Sequence, residues 1–507
     1  MGLYSTLVRA QRSALAALLG AAACCGVLVI TEPPGPGLDP DTMSYLGAAE
    51  SLLRGGTLRI PAGHWSDADS TSPLGHFPPG FPLAIAVPTA LGVPAVQAAR
   101  GLEAVAAFAT VALAVWLVGA FAGAGAGAVA GVLLLASPSL AFDHWQILSE
   151  PLCLTLLMAT LALMTYSKHP LLYGATAALA GMVRYAGASA TGAVTLWAFS
   201  RGGTLRERTR RAALAAAPSV VLHALWVLRT ESESGEVRSF GLRGNLGLTF
   251  RQLFETLGAW LAPAVPASWA QGLIAVAVGT AAAALLVRAL RPRLGQGDSA
   301  VPADPRLRRF LWAAGLLASC YATLVLFSRL FVDEGIPFDE RLLSPFILLA
   351  EVAVAAALGA TWRAWGPRAR ATGACIGLLW LGASAWATVH AVADATDGGW
   401  GYSSDEWRGS ALGEWLRTNA RGAPIYSNNP PAVYFLTHRP SRDVPDSLDP
   451  DSIRAFGRVL VEQRGVLVRF PYDLEPVAAP DSIAVRLALP RLAAFPEGAV
   501  WGAHAAR

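Results

Sequence analysis

The sequence is short of charge. Of its 507 residues only 15% are Asp, Glu, Lys or Arg, against about 25% in an ordinary soluble chain. Lysine is nearly absent: Lys168 stands alone, and the other 38 of the 39 basic residues are arginine. A net charge of +4 is too small to draw nucleic acid, so no nucleic-acid partner is expected. Cysteine is scarce as well. Cys24, Cys25, Cys153, Cys320 and Cys375 all fall in apolar segments, without the spacing of a metal site or a disulfide framework. The 50 Gly and 34 Pro follow no fixed period, which excludes collagen, and long apolar runs exclude disorder. What remains is hydrophobic: 54% of residues, with a mean hydropathy of +0.45. Three soluble domains of about 150 residues could not hide that much apolar surface, so most of the chain faces lipid.

A spanning helix needs about 20 apolar residues. Eleven stretches are expected to span: 13–31, 98–121, 123–140, 150–166, 169–184, 186–200, 212–229, 269–290, 310–328, 341–360 and 371–393, two of them short and flanking Arg184. The first follows Arg9 and Arg12 and lacks a small-residue cleavage site, so it reads as a retained anchor. Three arginine clusters test the threading: Arg201 to Arg211, Arg291 to Arg309, and Arg363 to Arg370. With the N-terminus cytoplasmic, all three fall inside, as the positive-inside rule requires. Acids gather in the opposite loops, namely Glu32, Asp39, Asp41, Glu50, Asp67 and Asp69, then Asp333, Glu334, Asp339 and Glu340. Residues 82–97 are apolar but carry Pro82, Pro88 and Pro94, so a short broken or re-entrant element is expected there. After 394 the pattern alternates: helix 404–419, strand 423–428, helix 430–437, helix 451–463, strand 465–470. The expected fold class is an α-helical polytopic membrane protein. Residues 1–393 would form the multi-span domain, including a large first outer loop at 32–97, and residues 394–507 a small extracytoplasmic α/β domain.

Five segments concentrate chemistry-bearing residues. In the first outer loop, Gly37-Leu-Asp-Pro-Asp-Thr-Met-Ser-Tyr45 opens a helix expected over 42–54, amphipathic and lying along the membrane surface. Asp41 stands at its start, where a plain N-cap is the competing reading. Next come Gly75-His-Phe-Pro-Pro-Gly-Phe-Pro-Leu83, and Phe142-Asp-His-Trp-Gln-Ile-Leu-Ser-Glu-Pro151 with Glu150 at the start of the fourth span. Gly181-Met-Val-Arg184 buries an arginine near a membrane boundary, and Pro337-Phe-Asp-Glu-Arg341 leads another into the tenth span. Charges at the edge of a bilayer are expensive and functional by default. For Arg341, snorkelling to the interface is the competing role. Glu351, deeper in the same span, is expected to face the bundle interior and is given no task.

Together these segments resemble the bacterial polyprenyl-phosphate-dependent glycosyltransferases of the GT-C fold, the branch akin to protein O-mannosyltransferases and aminoarabinose lipid A transferases. That family has an Asp four residues before a Tyr after its first span, as Asp41 and Tyr45 stand here. Its Pro-Pro-Gly-Tyr-Pro-Leu element corresponds to Pro78-Pro-Gly-Phe-Pro-Leu83, with Phe81 in place of the tyrosine. Ser149, Glu150 and Pro151 match its acidic start to the fourth span. Arg341-Leu-Leu-Ser-Pro345 matches its Arg-Tyr-Leu-x-Pro pattern except at Leu342. In the tail, Trp415-Leu-Arg, Ile425-Tyr-Ser-Asn-Asn and Leu436-Thr-His-Arg439 resemble its outer domain.

The resemblance implies an inverting transferase in the bacterial cytoplasmic membrane, moving a sugar from a polyprenyl-phosphate donor to a lipid, glycan or protein acceptor at the outer face. Asp41 would be the general base, with Glu150 and Asp39 orienting the acceptor or tuning that base. Arg341, then Arg184, would hold the donor phosphate. Some members carry a charged pair before the double proline; His76 and Phe77 stand there instead, leaving His76 as the substitute contact. His64 and His76 share a loop with acids, so a divalent metal is conceivable, but no firm cofactor is implied. The alternative is a polytopic transporter or lipid-linked sugar flippase, which would place its charges near the midplane and show inverted repeats. A chain that keeps this fold without activity, as a scaffold, is the third reading.

Overall fold

A computed structural model describes residues 2–234, 241, 244–263, 265, 268–290, 293–294, 300–301, 305–333, 335–471 and 477–502. Arg291 and Glu334, each counted in a charge cluster above, lie outside the described residues. By their contacts the residues form two units, one of residues 1–31 with 100–394, the other of residues 32–99 with 395–507.

The first unit is helical. A helix stands at each of the eleven expected positions, but among the described residues only seven are long and apolar enough to cross a bilayer. An eighth is reached if Ala124–Ala136 and Pro138–Trp145 count as one span, bent by 62°. The bend falls at Ser137, whose extended backbone is what a following proline demands. Glu150–Tyr166, Pro170–Val183 and Ser189–Ser200 have 17, 14 and 12 residues. At 1.5 Å per residue the last two are far shorter than about 30 Å of hydrocarbon. They meet at Arg184 and the short 3-10 turn Tyr185–Ala188. Pro170–Val183 packs between Glu150–Tyr166 and Leu205–Ser234, and Gly174 permits the latter approach because a Cβ there would strike the Ala215 backbone. Large apolar side chains stay uncovered on the long helices, among them Leu225, Trp269 and Leu379. Bare surface of that kind belongs in lipid.

One helix of this unit, Leu246–Leu261, has no counterpart in the sequence reading. Asn245 caps it, and polar contacts dock it: Thr256 donates to the Phe338 carbonyl, and Trp260 donates to Glu351 at 3.1 Å. Glu351 is buried, as its position in the bundle suggested.

The second unit is mixed. A six-stranded sheet runs in the order Ala62–Gly63, Ser441–Arg442, Ile425–Ser427, Val466–Arg469, Gly498–Gly502, Arg491–Phe495. The first four strands are parallel, and Gly498–Gly502 runs antiparallel to both of its neighbours, Val466–Arg469 and Arg491–Phe495. Its core is Tyr426, Ile453, Phe456, Leu460, Leu467, Ile483 and Trp501. Helices Pro430–Thr437 and Pro450–Glu462 follow the alternation expected of the tail. The helix expected over 404–419 is two, Asp405–Arg408 and Ala411–Asn419, because Ser410 recaps the chain on the Gly413 amide at 3.0 Å. One edge strand comes from the first outer loop, which therefore shares a sheet with the tail instead of standing with the multi-span helices. The proline-rich stretch 82–97 holds the 11-residue helix Gly80–Ala90, too short to span, then a break at 91–94. Pro82 lies in its first turn, where an amide hydrogen has no intrahelical partner to lose.

Candidate active site

In the first unit, three helix ends bring Glu150, Arg184 and Arg341 together. Glu150 is the first residue of its helix, where the positive end of the helix dipole favours a carboxylate. Arg184 occupies the extended break after Pro170–Val183. Arg341 lies in the first turn of Glu340–Thr361, which Asp339 caps by accepting the Leu342 amide at 2.8 Å. Burial pushes the Asp339 carboxyl above its usual range, against that capping bond. One oxygen, Oε1 of Glu150, takes both guanidiniums: Arg184 Nη1 at 2.7 Å and Arg341 Nε at 2.9 Å. The Ser149 hydroxyl donates to the other oxygen at 3.2 Å.

The exposures decide what this cluster can do. The Glu150 side chain is 0% exposed, whereas those of Arg184 and Arg341 are 20% and 24% exposed. A sealed carboxylate thus fixes two guanidiniums that keep part of their surface open. Guanidinium geometry matches phosphate oxygens, and the exposed part of each is what an incoming phosphate could meet.

Two further buried acids, neither expected from the sequence to have a role, belong to this neighbourhood. Asp143 lies within electrostatic reach of Glu150, Arg341 and Arg184. Glu103 accepts the Leu148 amide at 3.2 Å, which pins the turn that presents Glu150. The signal for Glu103 was an ionisable residue inside the opening turns of an apolar run. For Asp143 it was a charge in the segment that leads to Glu150.

The second unit holds the other expected residues. Helix Pro40–Gly55 begins two residues earlier than expected, and its cap is Asp39, not Asp41. Asp39 Oδ1 accepts the Thr42 amide at 2.8 Å and the Thr42 hydroxyl at 2.9 Å, while that hydroxyl accepts the Asp39 amide at 3.1 Å. This reciprocal capping box commits Asp39 to the helix end and leaves Asp41 half-buried in the first turn. Tyr45 is buried one turn on, its ring edge-on to Phe77 and Phe81 at 4.8 and 5.1 Å. The Asp41–Tyr45 and Pro78–Leu83 motifs therefore meet in space. His76 is exposed, its ring against Phe77, and His64 bonds Ser66. Among the described residues no group of three or more His, Cys, Asp or Glu is placed to hold a metal ion.

No family model matches the sequence, and no curated protein matches it either. Solved structures do. ArnT from Cupriavidus metallidurans bound to undecaprenyl phosphate superposes with a TM-score of 0.62 at 14% identity, over 96% of this chain and 97% of that one. The mycobacterial arabinofuranosyltransferase AftD gives 0.57 at 19% identity, over 97% of this chain and 40% of its own. An oligosaccharyltransferase from Archaeoglobus fulgidus, in complex with Zn and sulfate, gives 0.51 at 10%, over 89% and 68%. Likeness at such low identity speaks to architecture, and the architecture is plain: this is a multi-pass membrane protein with the GT-C glycosyltransferase fold.

Proposed function

We propose that the protein is an inverting glycosyltransferase that moves a sugar from a polyprenyl-phosphate donor to a lipid, glycan or protein acceptor at the outer face of a bacterial cytoplasmic membrane. The observation that carries this reading is the single buried carboxylate oxygen holding two part-open guanidiniums. It stands in a fold shared with a transferase bound to undecaprenyl phosphate.

Asp41 takes the proton of the acceptor hydroxyl as that oxygen attacks the anomeric carbon. The bond from this carbon to the phosphate oxygen breaks, and its electron pair leaves with the polyprenyl phosphate. A single displacement inverts the anomeric centre. The departing phosphate gains one negative charge over the donor, so Arg341 and Arg184 hold the transition state more tightly than the ground state. Glu150 acts by fixing both guanidiniums. His76 is a lesser contact to the donor headgroup, and Asp39 serves by capping the helix that carries Asp41. The N-terminus is cytoplasmic and residues 394–507 lie outside.

The test is transfer of a labelled sugar from synthetic polyprenyl-phosphate donors in membranes carrying the protein. Asp41→Asn is expected to lower transfer by about 10²- to 10⁴-fold, the range for one positioned base, at normal expression. Near wild-type transfer by this variant would falsify the assignment.

A further inference from the structure

The chain between the first helix and Asp39 reads Glu32-Pro-Pro-Gly-Pro-Gly-Leu38. Three prolines lack amide hydrogens and two glycines lack side chains, so the segment has few groups with which to hold itself, the Gly35 amide on the Glu32 carbonyl at 2.9 Å being one such bond. The start of the tail holds them. Tyr402 donates its amide to the Leu38 carbonyl at 2.8 Å, and Leu38 donates to the Trp400 carbonyl at 3.4 Å. The buried Ser403 hydroxyl donates to the Pro36 carbonyl at 2.6 Å, and Arg408 Nη1 to the Pro34 carbonyl at 3.3 Å. Carbonyls 34, 36 and 38 are thus taken in alternation by residues 402–408. Gly401 sits at φ 59°, and a Cβ there would land on the Leu38 carbonyl oxygen.

A second grip bears on helix Pro40–Gly55 itself. The Tyr402 hydroxyl donates to Asn429 Oδ1 at 2.8 Å, and that oxygen also accepts the Ala432 amide at 3.1 Å, capping Pro430–Thr437. Helix Pro430–Thr437 packs on Pro40–Gly55, where the Tyr434 hydroxyl donates to Glu50 Oε2 at 2.7 Å. Burial, and then that bond to a carboxylate, push the Tyr434 hydroxyl above its usual pKa, so it remains a donor.

We infer that the tail is a jig for the helix that carries Asp41: residues 401–408 set where the helix begins, and Tyr434 sets its rotation. Ser403, Gly401 and Tyr434 are positioning residues, acting through Asp41 without touching substrate. The inference rests on the proposal that Asp41 is the base. It goes further in assigning the tail a part in the rate of reaction, separate from any part in binding the acceptor.

The experiment measures kcat and donor KM with labelled polyprenyl-phosphate sugar for purified Ser403→Ala, Ser403→Thr, Gly401→Ala and Tyr434→Phe, each also scored for folded fraction by size exclusion and melting temperature. Misplacing a catalytic group by about 1 Å costs up to about 100-fold. Ser403→Ala and Gly401→Ala are therefore expected to lose about ten-fold or more in kcat per folded molecule. Donor KM should stay within about two-fold, and Ser403→Thr should recover most of the rate. Combined with Asp41→Asn, Ser403→Ala should cost almost nothing further, because both act on one group. Loss of folded protein with unchanged kcat in the remainder would reduce the grip to a structural brace and overturn the inference while leaving Asp41 in place. An active Asp41→Asn enzyme overturns the base assignment itself, and the inference with it.

Discussion

At the scale of the residue, Glu150 is the most consequential side chain in the first unit. A buried carboxylate serving two arginines is costly to remove, because both cations lose their counter-charge. Glu150→Ala should destabilise the fold by about 3–5 kcal/mol, read as a fall in melting temperature in detergent. Arg341→Lys keeps the charge and loses the planar fork. On the proposed mechanism it should lower kcat more than donor KM, since the phosphate charge assigned to it grows in the transition state; an effect confined to KM would argue for a ground-state anchor. Sequence alone found Glu150, Arg184 and Arg341 because each is a charge at the edge of an apolar run. It had no means of finding that they share one oxygen, since residues 150, 184 and 341 are joined only by packing. Asp143 was in view without a role and Glu103 was passed over, because a buried acid declares its job only through its neighbours.

At the scale of the element, helix Pro40–Gly55 shows how a motif can be read correctly in outline and one cap wrong. Both Asp39 and Asp41 are acceptable caps by type. Pro40 decides between them, because proline suits the first helical position and so puts the cap at Asp39. Asp39→Ala should cost about 1 kcal/mol and loosen the turn bearing Asp41, lowering transfer where Asp39→Ser, which keeps an acceptor, does not. The tail offers a pH test. Asp449 caps Pro450–Glu462, and the Ser452 and Asp451 amides hold its carboxyl below the ordinary 3.8. A depressed carboxylate lends stability above its unfolded value and loses it as pH falls through the folded one. Asp449→Asn should therefore flatten the acid limb of the second unit's stability below about pH 4, measured by hydrogen exchange. Spans of full length were legible in the sequence from hydropathy. Leu246–Leu261 was not, because it is amphipathic and docks through Thr256 and Trp260 instead of presenting an unbroken apolar run.

At the scale of the whole molecule, the eleven helix positions were legible from their apolar runs, whereas their number as spans was not, because an apolar run does not show that a helix such as Pro170–Val183 or Ser189–Ser200 stops short of the bilayer thickness. Nor was the partition legible. Nothing in a two-residue strand such as Ala62–Gly63 has a period to read, so its pairing with Ser441–Arg442 could come only from the folded chain. The proposed sidedness makes a direct prediction. Cysteine placed at Ser66, in the first outer loop, should react with an impermeant maleimide in intact cells. Cysteine at Gly202, beside the first arginine cluster, should react only after permeabilisation; the reverse pattern would invert the topology.

That pairing also imposes a delay. Trp65 donates its amide to Asp443, 378 residues later, at 2.7 Å, and the flanking strand pairs with residues made at the same late moment. At about 5–20 residues per second, synthesis of the intervening chain takes about 20–75 s. For all that time the loop bearing Asp41 has been made and its sheet has not. Through those seconds the edge strand Ala62–Gly63 lacks the neighbour it pairs with in the folded chain, so the sheet that includes the first outer loop cannot close until nearly the whole chain has been made.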